Sequence, residues 1–224
     1  MIFGPTGLDE ALGAILAHTI RLQGRLKGRV IKKGTALDAE AIAALREGGV
    51  REVIAARLVQ GDVPEDAAAS RIADRLLGPL LARTRAATGR VNLLAEAAGL
   101  LVLDAPLIDR VNALDESLTI ATLPNFSLVQ PKEMLATIKI IPFAAPSAVL
   151  SVAEALLAKG TAIALRPFRP LKVGLVLTEL PGMKESAMAG AVEVTQARIE
   201  ALMGTLLPVE RVPHEAAEIG RAHV

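Results

Sequence analysis

Thr178, Glu179, Gly182, Lys184 and Ser186 follow one another closely after the apolar run KVGLVLT, Lys172 to Thr178. Their types and order suit one kind of chemistry. A strand that ends in a hydroxyl and a carboxylate, and then turns through Pro181-Gly182 into a helix, gathers groups that hold phosphate. The first backbone N–H groups of the helix point at the anion, and the helix dipole favours it. The hydroxyls of Thr178 and Ser186 and the ammonium of Lys184 can add to this grip. Glu179 can help to hold a Mg²⁺ that bridges phosphate or an oxyanion. Read without a ligand, the same residues are solvated loop charges at 179 and 184 and a helix cap at 186.

Other chemistry finds less support. The three histidines are scattered. His18 follows an apolar segment, His214 sits in a VPHEAA turn and reads as a helix-start residue, and His223 is next to last. There is no HExxH, GxSxG or GxxxxGK[ST], so zinc protease, serine hydrolase and P-loop readings have no motif behind them. KGRVIKKG, Lys27 to Gly34, could grip phosphate. It reads more simply as an exposed hairpin with solubilising lysines. The chain has no Cys, which excludes a disulfide scaffold, a thiolate metal site and a cysteine nucleophile.

Composition narrows the partners. Hydrophobic residues make up 52% and charged residues 22% of the 224 residues, enough for a core and a solvated surface. Aromatics are only 2%, with no Trp or Tyr, so platforms for stacking bases are nearly absent. Net charge is +1, from 25 basic and 24 acidic residues, and carries no footprint for nucleic acid or anionic lipid. Mean hydropathy is +0.44, which raises the question of a membrane. The longest apolar run, Ile140 to Leu157, is broken by Pro142, Pro146 and Glu154. It predicts a buried strand ending near Pro142 and an amphipathic helix from Pro146, not a span of about 20 unbroken apolar residues. MIFGPTGLDEALG lacks a basic and an apolar leader region, so the expectation is a cytoplasmic chain without a signal peptide.

The elements that would carry the phosphate-type residues form one unit. Strand 172–178, loop 179–185, helix 186–203 and strand 205–212 predict a parallel strand–helix–strand crossover. Its helix is expected to set Val192, Ile199, Leu202 and Met203 on one side. RPFRPLK, Arg166 to Lys172, reads as a hinge before it. Upstream, the spacing of apolar residues in Leu8–His18 predicts a helix. TIRLQGRLKGRVIKKG predicts short strands and tight turns. Asp38 is expected to cap a helix that stops at Gly48-Gly49, and VREVIAARL to be a strand. Asp62 is expected to cap a helix ending near Gly78. Strands are predicted in 90–104, 118–123 and 133–142, helices in 105–114 and 147–159, and a strand in TAIALRPF. The fold class is α/β: a mixed α+β N-terminal region, then the start of a parallel, Rossmann-like domain. The boundaries are 1–60, 61–166 and 167–217. The last residues, EIGRAHV, match a translated sequencing adapter, so 218–224 read as a non-native tail and the domain as incomplete.

Three stretches carry a resemblance. GRVIKKGTALDAEAIAALREGGVREVIAARL resembles the Gly-Thr-x-Leu turn and helix of molybdopterin molybdenumtransferase-type proteins. TGRVNLLAEAAGLLVLD and MLATIKIIPFAAP are similar to a bacterial branch of molybdopterin-binding proteins. The resemblance spans the chain to about residue 217. It implies molybdenum cofactor biosynthesis, with molybdopterin and Mg²⁺ bound in the C-terminal domain. Carried over, Glu179 matches the acidic residue near the metal, as both catalytic and metal residue, and Thr178 matches the strand-end hydroxyl. Gly182, Lys184 and Ser186 fall in the cofactor-binding loop. The better-known transferases read Thr-Gly-Asp-Glu-Leu here. This chain reads Thr178-Glu179-Leu180, two residues shorter, which suits a branch that binds the pterin without inserting metal. The family's second, Gly-rich loop lies beyond Val224, as would any fused cytidylyltransferase domain, so this fragment is expected to be inactive. A homodimer and other cofactor-biosynthesis enzymes are the implied partners. The alternatives are a non-catalytic scaffold or carrier subunit, and a domain for another phosphorylated small molecule.

Overall fold

Residues 1–222 are described by the structure, a computed structural model. They divide into two compact units, one of residues 1–97 with 101–165, the other of 98–100 with the chain from Arg166 onward. The architecture is mixed α+β, with small sheets and six helices among the described residues.

The first unit begins with β1 (Ile2–Gly7), β2 (Ile15–Leu16), β3 (Ile20–Arg21), β4 (Val30–Ile31), α1 (Ala39–Glu47) and β5 (Glu52–Arg57). β5 is the centre of an antiparallel sheet, with β1 on one side, Ile2 opposite Arg57, and β2 on the other. Its Val53, Ala55 and Ala56 are buried. β3 and β4 form a separate hairpin. α1 starts where expected: Asp38 Oδ1 accepts from the Ala41 N–H at 2.7 Å. Ala41, Ile42, Ala44 and Leu45 then face the core, and Gly48 ends the helix.

The helix expected over Leu8–His18 does not form. Gly13 takes φ +76°, and the segment pairs outward instead: Gly13 N–H to Leu37 O, Leu37 N–H to Ala14 O, and Leu16 N–H to Thr35 O, at 2.8–2.9 Å. Leu8, Ala11, Ala14 and Leu16 are still buried. Of the apolar positions at helical spacing, Leu8, Ala11 and Leu16 are buried, but Leu12 is 66% exposed and Ile15 only half-buried, so the spacing marked part of the buried set and missed the backbone.

Next come β6 (Asp62–Pro64), α2 (Glu65–Leu76), β7 (Leu81–Arg83), β8 (Arg90–Ala95), β9 (Gly99–Leu103), α3 (Ala105–Asn112), β10 (Leu118–Thr122), β11 (Leu128–Val129), β12 (Met134–Ile140), β13 (Ala144–Pro146), α4 (Ser147–Leu157) and β14 (Ile163–Pro167). The main sheet runs β10-β12-β8-β7, antiparallel at each step. A second runs β11-β9-β14, and β6 pairs with β13. Val91, Leu93, Ile138 and Ile140 meet Ala69, Ile72, Leu150 and Ala153 of α2 and α4 in one core.

Asp62 is not the cap of α2. It lies in β6, where its Oδ2 accepts from the Val59 N–H at 2.8 Å and pairs with the N-terminal ammonium at 2.9 Å. These two contacts, the backbone N–H first, hold its carboxyl below the usual range. Pro64 takes the cap position. Among the described residues no helix is long and apolar enough to cross a membrane.

The second unit holds β15 (Lys172–Val173), β16 (Val176–Glu179), α5 (Glu185–Ala201), β17 (Thr205–Leu206), β18 (Glu210–Pro213) and α6 (Ala216–Ala222). β15 pairs with β17 and β16 with β18, both parallel. The expected strand–helix–strand connection is thus present as two short parallel ladders, not as an extended Rossmann-like sheet. α5 presents one narrow stripe, Met188, Val192, Thr195 and Ile199, away from solvent. Leu202 and Met203, expected on that side, are exposed past the helix end. Met203 adopts φ +63° and donates to Glu200 O, while Gly204 N–H reaches Ile199 O, a left-handed stop that swings both side chains off the stripe. The tail expected from Glu218 includes Glu218–Ala222 of α6; His223 and Val224 lie outside the described residues.

Candidate functional site

β16 and β18 run side by side and end together, with Glu179 opposite Pro213. Beyond them the chain makes a tight turn. Leu180 O accepts from the Met183 N–H at 3.2 Å, with Pro181 second and Gly182 third in the turn. Gly182 takes φ +84°. Pro presets the second position, and the positive φ at the third suits glycine, as in a type II turn. The turn delivers the chain to Lys184, the N-cap of α5, which has no side-chain cap. Ser186 therefore lies inside the first turn of the helix and is not its cap.

This local path leaves backbone donors open. Among the described residues, the N–H groups of Gly182, Lys184, Glu185 and Ser186 have no acceptor. Past the strand ends, a hollow of about 360 Å³ is lined by Glu179, Leu180, Pro181, Pro213, His214 and Glu215; of the turn, only Leu180 and Pro181 border it. Thr178 reaches it through His214: Thr178 Oγ1 and His214 Nδ1 share a hydrogen bond of 3.0 Å, whose direction follows the imidazole tautomer. The His214 N–H also donates to Glu179 O at 3.0 Å.

Glu179 is engaged elsewhere. Arg211 Nε donates to its carboxylate. The outer nitrogens of the same guanidinium fork onto Glu185, at 2.9 and 2.8 Å. The two carboxylates, Glu185 first, keep Arg211 firmly protonated. In return the Arg211 guanidinium holds the Glu185 carboxyl below the usual range. Glu179 is thus one arm of a Glu179–Arg211–Glu185 clasp that ties β18 to β16 and to the start of α5.

The five residues singled out in the sequence do come together at one end of the parallel pair. Their roles separate: Gly182, Lys184 and Ser186 belong to the amide-rich turn, Thr178 to the His214 contact, and Glu179 to the clasp. Sequence reasoning missed Arg211 and the cross-strand contacts of His214, which stands two residues before α6. Both act across the ladder, and the one available signal was the charged-polar ending ERVPH of a strand predicted to run parallel to 172–178.

A family model described as Domain of unknown function (DUF8806) matches residues 5–57. That match lies in the first unit and does not reach this mouth. No curated protein and no solved structure matches the chain.

Proposed function

We propose that the second unit binds molybdopterin, or its nucleotide-activated form, by its phosphate at the mouth beyond β16. The observation that carries this reading is the set of four acceptor-free N–H groups, Gly182 and Lys184–Ser186, in the turn into α5 whose Leu180 and Pro181 border an open hollow. The three sequence stretches that resemble molybdopterin-binding proteins supply the pterin. The phosphate rests on these amides, where the helix dipole favours it, with the Ser186 hydroxyl and the Lys184 ammonium within the same turn. His214, held by Thr178, forms the side of the hollow against which the pterin lies.

The donor set does not make a Mg²⁺ site. Among the described residues no group of three or more His, Cys, Asp or Glu is arranged to hold a metal ion. The carboxylate that the resemblance assigns to the cation is neutralised by Arg211. No step of the proposal therefore runs through Mg²⁺. Glu179 organises the mouth through Arg211, and the chain binds the pterin without inserting metal.

A second reading, a carrier or docking subunit for other cofactor-biosynthesis enzymes, is favoured by the apolar surface of the same unit. Leu171, Val194 and Met203 are exposed there, and an apolar hollow of about 440 Å³ is lined by Leu171, Val173, Ile199 and Leu202. Reading pterin fluorescence released from the purified full chain, before and after loading with molybdopterin, separates the two. Stoichiometric pterin that is lost in Lys184→Ala/Ser186→Ala supports binding at the mouth. A chain that takes up no pterin overturns it and leaves the docking role.

A further inference from the structure

The first unit contains a hollow of about 650 Å³ that the reading above does not use. One wall is the β3–β4 hairpin with Arg21, Val30, Lys32 and Lys33; the other is Glu65 at the start of α2, with Phe143 beside it. Its volume lies within the ~300–1,000 Å³ usual for small-molecule sites.

Charge is the first observation. Among the described residues, Arg21, Lys32 and Lys33 have no carboxylate within ion-pair distance, whereas Arg29, Arg46, Arg71 and Arg83 of the same unit are paired. Glu65 is the sole carboxylate in the lining. Burial first, and the Asp66 charge second, push its carboxyl above the usual range, against the pull of Lys33. The lining therefore stays positive whichever form Glu65 takes.

Positioning is the second. The Lys33 Nζ sits 5.6 Å from the centroid of the Phe143 ring, a distance at which the ring face attracts an ammonium. The Lys33 N–H donates to Thr19 Oγ1 at 3.0 Å, and the Glu65 N–H to Phe143 O at 3.0 Å. Cation and ring are fixed to opposite walls and meet in the mouth.

Backbone strain is the third. Thr88, which also lines the hollow, takes φ +51°, a region β-branched residues seldom enter. Gly89 follows at φ +68°, with no room for a side chain: a Cβ would stand 2.8 Å from Glu65 Oε2 and 2.8 Å from Ile140 O. Its N–H donates to Asp66 Oδ1 at 2.7 Å. Strain of this kind persists where the surroundings enforce it, and it gathers at ligand sites. Lysines that only solubilise a hairpin would need none of these features.

We infer that this hollow binds a small phosphorylated molecule with a flat apolar body, its phosphate among Arg21, Lys32 and Lys33 and its body against Phe143 and Val30. Cations spread over three positions suit the divergent oxygens of a phosphate better than a planar carboxylate. The inference is independent of the pterin reading, because every residue it uses lies in the first unit.

Calorimetric titration of the full chain with phenyl phosphate, inorganic phosphate and benzoate tests it. The expected order is phenyl phosphate tightest, then inorganic phosphate, then benzoate. Lys32→Ala/Lys33→Ala should weaken both phosphates about tenfold or more. Phe143→Leu should weaken phenyl phosphate several-fold and inorganic phosphate clearly less. Thermal unfolding checks that the variants fold; should the Phe143 variant not fold, the lysine pair decides alone. Absence of saturable phosphate binding up to about 10 mM, equal affinity in the lysine variant, or benzoate binding as tightly as phenyl phosphate overturns the inference.

Discussion

His214 Nδ1 lies 3.0 Å from Thr178 Oγ1, joining two parallel strands at the point where both end. With the His214 N–H on Glu179 O, His214 is held as part of the lining of the hollow past the strand ends. Thr178→Val removes the hydroxyl and keeps the shape. It should weaken binding of a phosphorylated pterin about tenfold, the worth of one hydrogen bond, and change stability by less than about 1 kcal/mol. Calorimetry beside urea unfolding checks both halves. An unchanged dissociation constant removes Thr178 from the site.

The Glu179–Arg211–Glu185 clasp gives a pH signature. Glu185 has an ordinary carboxyl value of 4.5, and the Arg211 guanidinium lowers it in the folded chain. A lowered carboxyl contributes stability above its unfolded value, and that contribution is lost as pH falls through the folded one. Side-chain carboxyl NMR should find the Glu185 midpoint below 4.5 in the native chain and back near it in Arg211→Gln. Identical midpoints would show that the clasp does not persist in solution. The pair is exposed, so added salt should shrink the difference.

Arg71 and Glu154 tie α2 to α4, at 3.1 and 2.7 Å between nitrogens and carboxylate oxygens. Glu154 is 19% exposed, so Arg71→Leu strands a mostly buried carboxylate and should cost about 1–3 kcal/mol at pH 7. Arg71→Leu/Glu154→Leu should recover much of that loss. The Arg71 contact holds the Glu154 carboxyl below 4.5, so the benefit is present above that pH and fades as the solution is acidified. Urea unfolding at pH 7 and pH 3 measures both; an equal cost at the two values contradicts the assignment.

Gly99 leaves no space for a side chain. A Cβ there would stand 2.3 Å from Arg166 O and 2.9 Å from the carbonyl carbon. Backbone cannot swing aside as a side-chain tip can. Gly99→Ala should therefore destabilise the fold by more than about 2 kcal/mol, measured by denaturant unfolding. Gly174→Ala, where a Cβ meets nothing within 4 Å, is the matched control and should lie much closer to wild type.

What could be read from the sequence follows the range of the forces involved. The α1 cap at Asp38 was legible because cap and acceptor-seeking N–H are three residues apart. The β16–α5–β18 crossover was legible because each segment carries its own period and the Pro181-Gly182 turn punctuates them. The Leu8–Leu16 segment was misread because its fate is decided by Thr35 and Leu37, which satisfy its backbone from outside the window. Asp62 was misread because its carboxylate is taken by the Val59 N–H on its upstream side and by the N-terminal ammonium, so it is not free to cap the helix that follows. At the mouth, the turn and its amides were local and visible. The clasp was not, because Arg211 meets Glu179 and Glu185 only after the strands align.

The claim that matters most is that the open amides at the start of α5 hold an anionic pterin. Backbone NMR of the full chain during titration with a phosphorylated pterin tests it most directly. The amides of Gly182, Lys184, Glu185 and Ser186 should move together and saturate, and the response should vanish when the same pterin lacks its phosphate. Saturation elsewhere with these four amides unmoved, or an equal response to the dephosphorylated pterin, would contradict the account.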